Sequence, residues 1–118
     1  MASKLVHWEI SGPDAGALKE FYGGLFGWEF QSPPGFEDYH MTSGEQTGLG
    51  GAVGKGSDAM PHYVTMYLEV ADVDAHLAKI QEAGGAVVAP KTVVPEMVTF
   101  ALFSDPAGNV MGLVEADG

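Results

Sequence analysis

The 118-residue chain contains no cysteine, and this single absence removes disulfides, thiolate nucleophiles and cysteine-held zinc or iron–sulfur sites. Any metal would have to be held by His, Asp or Glu. Arginine is missing as well: the five basic residues are Lys4, Lys19, Lys55, Lys79 and Lys91. No planar guanidinium fork is offered to a carboxylate or phosphate, which argues against a strongly anionic substrate. No window reaches the roughly 18 uninterrupted apolar residues of a membrane span, and the opening MASKLVHWEI has no charged segment leading into a long apolar one. A cytoplasmic protein with no membrane contact is the expectation that follows.

Against these absences stand 16 acidic residues, spread along the chain and leaving a net charge of −11. Such a surface repels phosphate backbones, so nucleic acid is not an expected partner, whereas a neutral or cationic small molecule is. With 46% apolar residues the chain can bury a core without covalent staples, as one domain.

Periodicity organises the chain into two similar halves. A strand at about 4–10 precedes GPDAGALKEFYGGLFGW, where Leu18, Phe21, Tyr22 and Leu25 recur on one helical face. Pro13 suits the first turn of that helix, Asp14 its positive end, and Gly23, Gly24 and Gly27 its close. A short strand WEFQ, a turn PPG at 33–35, and strands at about 37–43 and 47–53 joined by a Gly44-Glu45 turn complete a first module over about 4–53. The Gly/Ser/Pro-rich stretch 54–61 reads as a linker. A second module over about 62–115 then repeats the order: strand 62–70, helix 72–85 with Val73, Leu77 and Ile80 on one face, short strand AVVAP, and strands 96–104 and 109–115 joined by DPAG. Each half reads β-α-β-β-β.

An offset of 58 aligns the halves without a gap, carrying Asp14 onto Asp72, Gly27 onto Gly85, Phe30 onto Val88 and His7 onto Thr65. Neither half could close a stable sheet alone. The expected fold is therefore α+β, with two βαβββ modules pairing into one curved, half-open barrel sheet around a ligand cleft.

Strand alternation selects the residues for that cleft. His7, Glu9 and Ser11 share one face of the first strand, and Thr65, Tyr67 and Glu69 the matching face of the fifth; Trp8, Ile10, Met66 and Leu68 point towards the helices. His7, Glu9 and Glu69 read either as an unusual ligand set or, for the two carboxylates, as solvated rim residues. His40, beside Tyr39, reads as a member of an acid/base cluster with His7 and Glu9 or as a half-exposed strand histidine. His62 is expected on the surface and His76 on a helix flank. Tyr67 is the aromatic expected in the cavity, and Tyr22 packs under the sheet. TGLGGAVGKG is not a phosphate loop, because GxxxxGK is not followed by Ser or Thr; its glycines suit a bent strand or a close approach.

The segments VHWEISGPDAGALKEFYGGLFGWEF and LEVADVDAHLAKIQEAGGAVVAPKTVVPEMVTFALFSDPAGNVMGLVE resemble the vicinal oxygen chelate superfamily, which includes glyoxalase I, bleomycin-resistance proteins and extradiol dioxygenases. The resemblance covers most of the chain in the expected order. It implies paired βαβββ modules around a cavity, a homodimer for a chain of this length, and a divalent metal held by two residues from each module. Residue by residue, the first-strand ligand of module one matches His7, but that of module two falls on Thr65. The last-strand carboxylate of module two falls on Gly112, and its counterpart in module one near Gly50 or Gly51. One imidazole does not hold a divalent ion, so the standard metal site is not expected.

Three functions are carried forward. The first is metal-independent binding of a neutral or cationic small molecule by His7, Glu9, Tyr39, Thr65 and Tyr67. The second is a glyoxalase-like lyase, isomerase or dioxygenase with a nonstandard metal site. The third is a metal-free enzyme with His7 and Glu9 as base and orienting carboxylate.

Overall fold

The computed structural model describes residues 2–116. They gather into two compact units, one formed by His7–Thr65 and the other by Met66 onward together with the opening of the first strand. The α+β class is as expected.

The first unit contains β1 (Leu5–Gly12), α1 (Ala15–Phe26), β2 (Tyr39–Thr42), α2 (Gly44–Thr47) and β3 (Gly51–Lys55). Its strands run in the order β2-β3-β1, with β3 parallel to β1 and antiparallel to β2. Pro13 precedes α1 rather than entering it: Asp14 is the N-cap, its side chain accepting the Ala17 N–H at 3.0 Å. Gly27 ends the helix in the left-handed conformation at φ 74°, a position where a side chain would be strained, and returns its N–H to the Gly23 carbonyl.

The inward stripe of α1 differs from expectation. Ala15, Leu18 and Tyr22 turn inward at i, i+3 and i+7, whereas Phe21 and Leu25 are 55% and 64% exposed. The indoles of Trp8 and Trp28, 5.3 Å apart, and the Tyr22 ring stacked on Trp28 at 5.7 Å fill the space beneath the helix. The strand expected over WEFQ shrinks to one bridge between Gln31 and Met41. Its backbone is diverted, since the Glu29 N–H donates to the Gln46 side chain at 3.1 Å. The expected Gly44-Glu45 turn is the single-turn α2, and β3 runs two residues into the expected linker.

The second unit contains β4 (Tyr63–Val70), α3 (Val73–Glu82), β5 (Ala86–Val94), β6 (Val98–Ser104) and β7 (Val110–Glu115), β4 beginning in the first unit. The strand order is β4-β7-β6-β5. Val70, Val73, Leu77, Ala101, Phe103 and Leu113 form its core, with Leu68, Ile80, Val87 and Met111 packed around it, so α3 buries the face read from the sequence. Asp72 caps α3 through the Ala75 N–H at 3.0 Å, the equivalent of Asp14 at the predicted offset of 58. Strand β5 is longer than AVVAP, and its register against β6 shifts between Val87 and Thr92, around Pro90, which has no N–H to give the ladder. In the DPAG turn, Asp105 accepts from the Ala107 and Asn109 N–H groups and from the Asn109 side chain. Among the described residues no helix is long and apolar enough to cross a membrane.

Candidate functional site

The first unit assembles a buried polar cluster on β1. Alternation puts His7, Glu9 and Ser11 on one face, and the register places Ala52 beside Glu9 and Gly54 beside Ser11. Gly54 in turn faces Tyr39 of β2. A Cβ at Gly54 would lie 3.0 Å from the Tyr39 ring, so the bare backbone of β3 lets that ring cross towards β1.

Tyr39 thereby reaches both β1 side chains. Its hydroxyl lies 2.8 Å from His7 Nε2 and donates to Glu9 Oε2 at 2.7 Å. The other carboxylate oxygen, Oε1, accepts from the Tyr63 hydroxyl at 2.6 Å, and Tyr63 is also hydrogen-bonded to the Ser11 side chain. A phenol has one proton. Since Tyr39 gives its proton to Glu9, His7 Nε2 must be the donor to Tyr39, which makes Nδ1 the basic nitrogen of the neutral ring.

The electrostatics follow from burial. Desolvation lowers the His7 pKa from the ordinary histidine value, and the Glu9 charge opposes that shift only in part, so the imidazole is neutral at neutral pH. Burial, followed by the Glu9 charge and its hydrogen bond, pushes the Tyr63 phenol up to about 12. Tyr63 therefore remains a proton donor to Glu9 throughout the physiological range.

Three of the five expected site residues, His7, Glu9 and Tyr39, come together here. Glu9 is 7% exposed, which corrects its reading as a solvated rim residue: two phenols take the place of water. Thr65 is buried at 2% exposure, two residues after Tyr63. Tyr67 lies in the other unit, buried across Gly112. Glu69 is exposed, and its amide pairs with the Lys4 carbonyl at 3.0 Å. His40 is corrected too: it is buried on the opposite face of β2 from Tyr39, with Nδ1 2.6 Å from the Ser32 hydroxyl. His62 is exposed, and His76 is half-buried on the flank of α3, as expected. Sequence reasoning missed Tyr63. The same period of two that selected Thr65 and Tyr67 passes through it, one step earlier, at the very start of the expected strand.

These residues do not fit the divalent metal of the resemblance. His7 Nε2 and both Glu9 oxygens already bond to phenols. Any side chain at Gly112 would run into the Tyr67 ring, and one at Gly51 into the Trp8 indole. Applying the offset to the pairing of Tyr67 with Gly112 selects Ala52, paired with Glu9, as the true module-one counterpart, in place of Gly50 or Gly51. Alanine has no donor atom. Among the described residues no three His, Asp or Glu side chains form a group able to hold a metal ion.

Each unit pairs two parallel strands beside an aspartate-capped helix, the repeated α+β plan expected from the resemblance. Comparison with known families agrees: residues 4–113 match the Glyoxalase/Bleomycin resistance protein/Dioxygenase superfamily, and the chain belongs to it. A relative in Mycobacterium bovis, CFP32, named as a candidate glyoxylase, is 30% identical over 115 residues, covering 92% of this chain and 44% of its own. The anthracycline biosynthesis protein DnrV of Streptomyces peucetius is 32% identical over 116 residues, covering 85% and 42%. The chain thus spans less than half the length of these relatives. A superfamily member from Vibrio splendidus has the same fold, with a TM-score of 0.64 at 14% identity over 97% of this chain and 98% of that one.

Proposed function

We propose that the chain binds a neutral or cationic small molecule against the His7–Tyr39–Glu9–Tyr63 cluster, without the metal of its superfamily. The observation that carries this reading is the Glu9 carboxylate, buried and accepting one phenol on each oxygen. A buried carboxylate makes an anionic ligand unfavourable and a cation or a neutral hydrogen-bonding group favourable, and the net charge of −11 acts in the same direction. The name of DnrV, which places that relative in anthracycline biosynthesis, supports a search among aromatic compounds. The same reading takes the chain as a cytoplasmic homodimer.

The test is native mass spectrometry and thermal shift with neutral, cationic and anionic aromatic compounds, in the presence of a metal chelator. One ligand per chain from the neutral or cationic set, weakened by Tyr63→Phe, is the expected result. Binding that appears only after adding zinc or manganese, or only to anions, would overturn the reading.

The relay itself favours a second reading, metal-free acid/base catalysis. Glu9 and Tyr39 orient His7 through Nε2, and burial keeps its imidazole neutral, the form that can take a proton from a bound carbon or oxygen acid. Deuterium uptake by a bound carbon acid in heavy water, abolished by His7→Gln, is its signature. Binding with no exchange would remove it.

A further inference from the structure

Helix α1 leaves uncovered an apolar stripe that its repeat does not have. Ala17, Phe21, Gly24 and Leu25 recur at i, i+4, i+7 and i+8, which puts them on one face, and all four are exposed, Phe21 at 55% and Leu25 at 64%. Phe26, 60% exposed, extends the stripe at the helix end. The offset of 58 carries these five positions onto Ala75, Lys79, Glu82, Ala83 and Gly84 in and just after α3, which are exposed as well. Where α3 shows water a lysine and a glutamate, α1 shows it a phenyl ring and a bare glycine. The two faces occupy equivalent places, and only that of α1 is built for contact.

The exposed rings are already held in place. Phe21 meets Tyr22 edge-on at 5.1 Å, while Phe26 packs on Tyr22 at 6.1 Å and on Trp28 at 5.8 Å. Ordered rings lose little conformational entropy on docking. Between the bulky residues lies a notch, since a Cβ at Gly24 would find no heavy atom within 4 Å. A ridge beside a notch on one face is self-complementary: a two-fold axis can set the Phe21 ridge of each copy into the Gly24 notch of the other. The area agrees. Phe21, Leu25 and Phe26 together expose roughly 350 Å² of apolar side chain, the scale of a functional patch on a monomer. Doubled across a two-fold axis, and with the polar third of a typical homodimer interface added, this reaches the roughly 1,000 Å² that a specific contact needs.

We infer that the exposed face of α1 is the surface by which two copies of this chain associate, helix against helix. This assignment rests on the homodimer of the reading above, to which it gives a contact surface, and not on what the His7 cluster binds.

Sedimentation of the full chain over a range of concentrations reads the association, and circular dichroism checks the fold of each variant. A monomer–dimer equilibrium is expected. Phe21→Lys, which copies the repeat at Lys79, should raise the dissociation constant about tenfold or more, the loss of a central aromatic anchor. Gly24→Leu adds apolar surface and helix propensity but fills the notch, so it too should weaken the dimer. Lys79→Ala, on the equivalent face of α3, should leave association unchanged. A dimer indifferent to Phe21→Lys, weakened as much by Lys79→Ala, or tightened by Gly24→Leu would overturn this surface and leave the homodimer standing. A chain monomeric at every concentration would overturn both, and ligand binding at the His7 cluster is read separately.

Discussion

The Tyr63 hydroxyl donates to Glu9 Oε1 at 2.6 Å, joining the start of β4 to the middle of β1 across 54 residues of chain. The bond gives Glu9 a neutral partner instead of a cation, and it gives Tyr63 a reason to keep its proton.

Tyr63 should therefore titrate near 12 in the folded chain, read from phenolate absorbance. A raised folded pKa means that the unfolded state ionises first. The associated stability is complete below the ordinary phenol value of 10 and is lost as pH rises from 10 through about 12. Glu9→Gln should lower the titration towards 10 and flatten this alkaline loss. An unchanged Tyr63 titration in that variant would contradict the geometry.

Removing either phenol leaves a Glu9 oxygen buried with one donor fewer. Tyr63→Phe and Tyr39→Phe should each destabilise by about 1–3 kcal/mol, measured by urea unfolding. Their effects should not add, because both act on one carboxylate. Full additivity would show that the phenols do not share Glu9.

His7 should titrate below 6.5, and Glu9→Gln should take it lower still, because the Glu9 charge is what raises it. An imidazole with a depressed folded pKa binds protons more readily when unfolded. Stability is then present above 6.5 and lost as pH falls through the folded value. Nitrogen-15 shifts should report the proton on Nε2 at neutral pH. Protonation on Nδ1 would reverse the relay.

Gly112→Ala should destabilise by about 1–3 kcal/mol, since its methyl group meets the Tyr67 ring. The same change in a Tyr67→Ala background should cost far less. Gly112→Glu, which places a carboxylate at the position that the resemblance implies for a ligand, should disrupt packing without creating a metal site. Tight zinc binding by that variant, seen by calorimetry, would refute the fit argument.

Asp14→Ala and Asp72→Ala should each cost about 1 kcal/mol by releasing one helix N-terminus, and the two losses should add. Chemical denaturation of the two single variants and the double variant measures this. Two equal losses would express the internal repeat as energy.

That repeat is legible in the order of residues because caps and periodicity are local. An aspartate ahead of a helix and a period of two along a strand act within a few residues, so the offset of 58 carries Asp14 onto Asp72, and the inward faces of β1 and α3 follow. That Thr65 and Gly112 stand where the resemblance implies ligands is equally visible, as a matter of residue identity. The helix termini are not: α1 has 12 residues and α3 has 10, because Gly23 and Gly24 continue α1 instead of helping to close it.

What the sequence determined by itself was the α+β class and the faces of β1 and β4. Tertiary structure alone decided that Glu9 is buried, that Tyr63 is its second donor, that His40 turns to Ser32, and that Thr42 is left with a buried, unpaired hydroxyl. The physical reason is reach. A hydrogen bond acts over about 3 Å, while its partners here lie 8 to 54 residues apart, so only the folded chain can select which donors meet which acceptors.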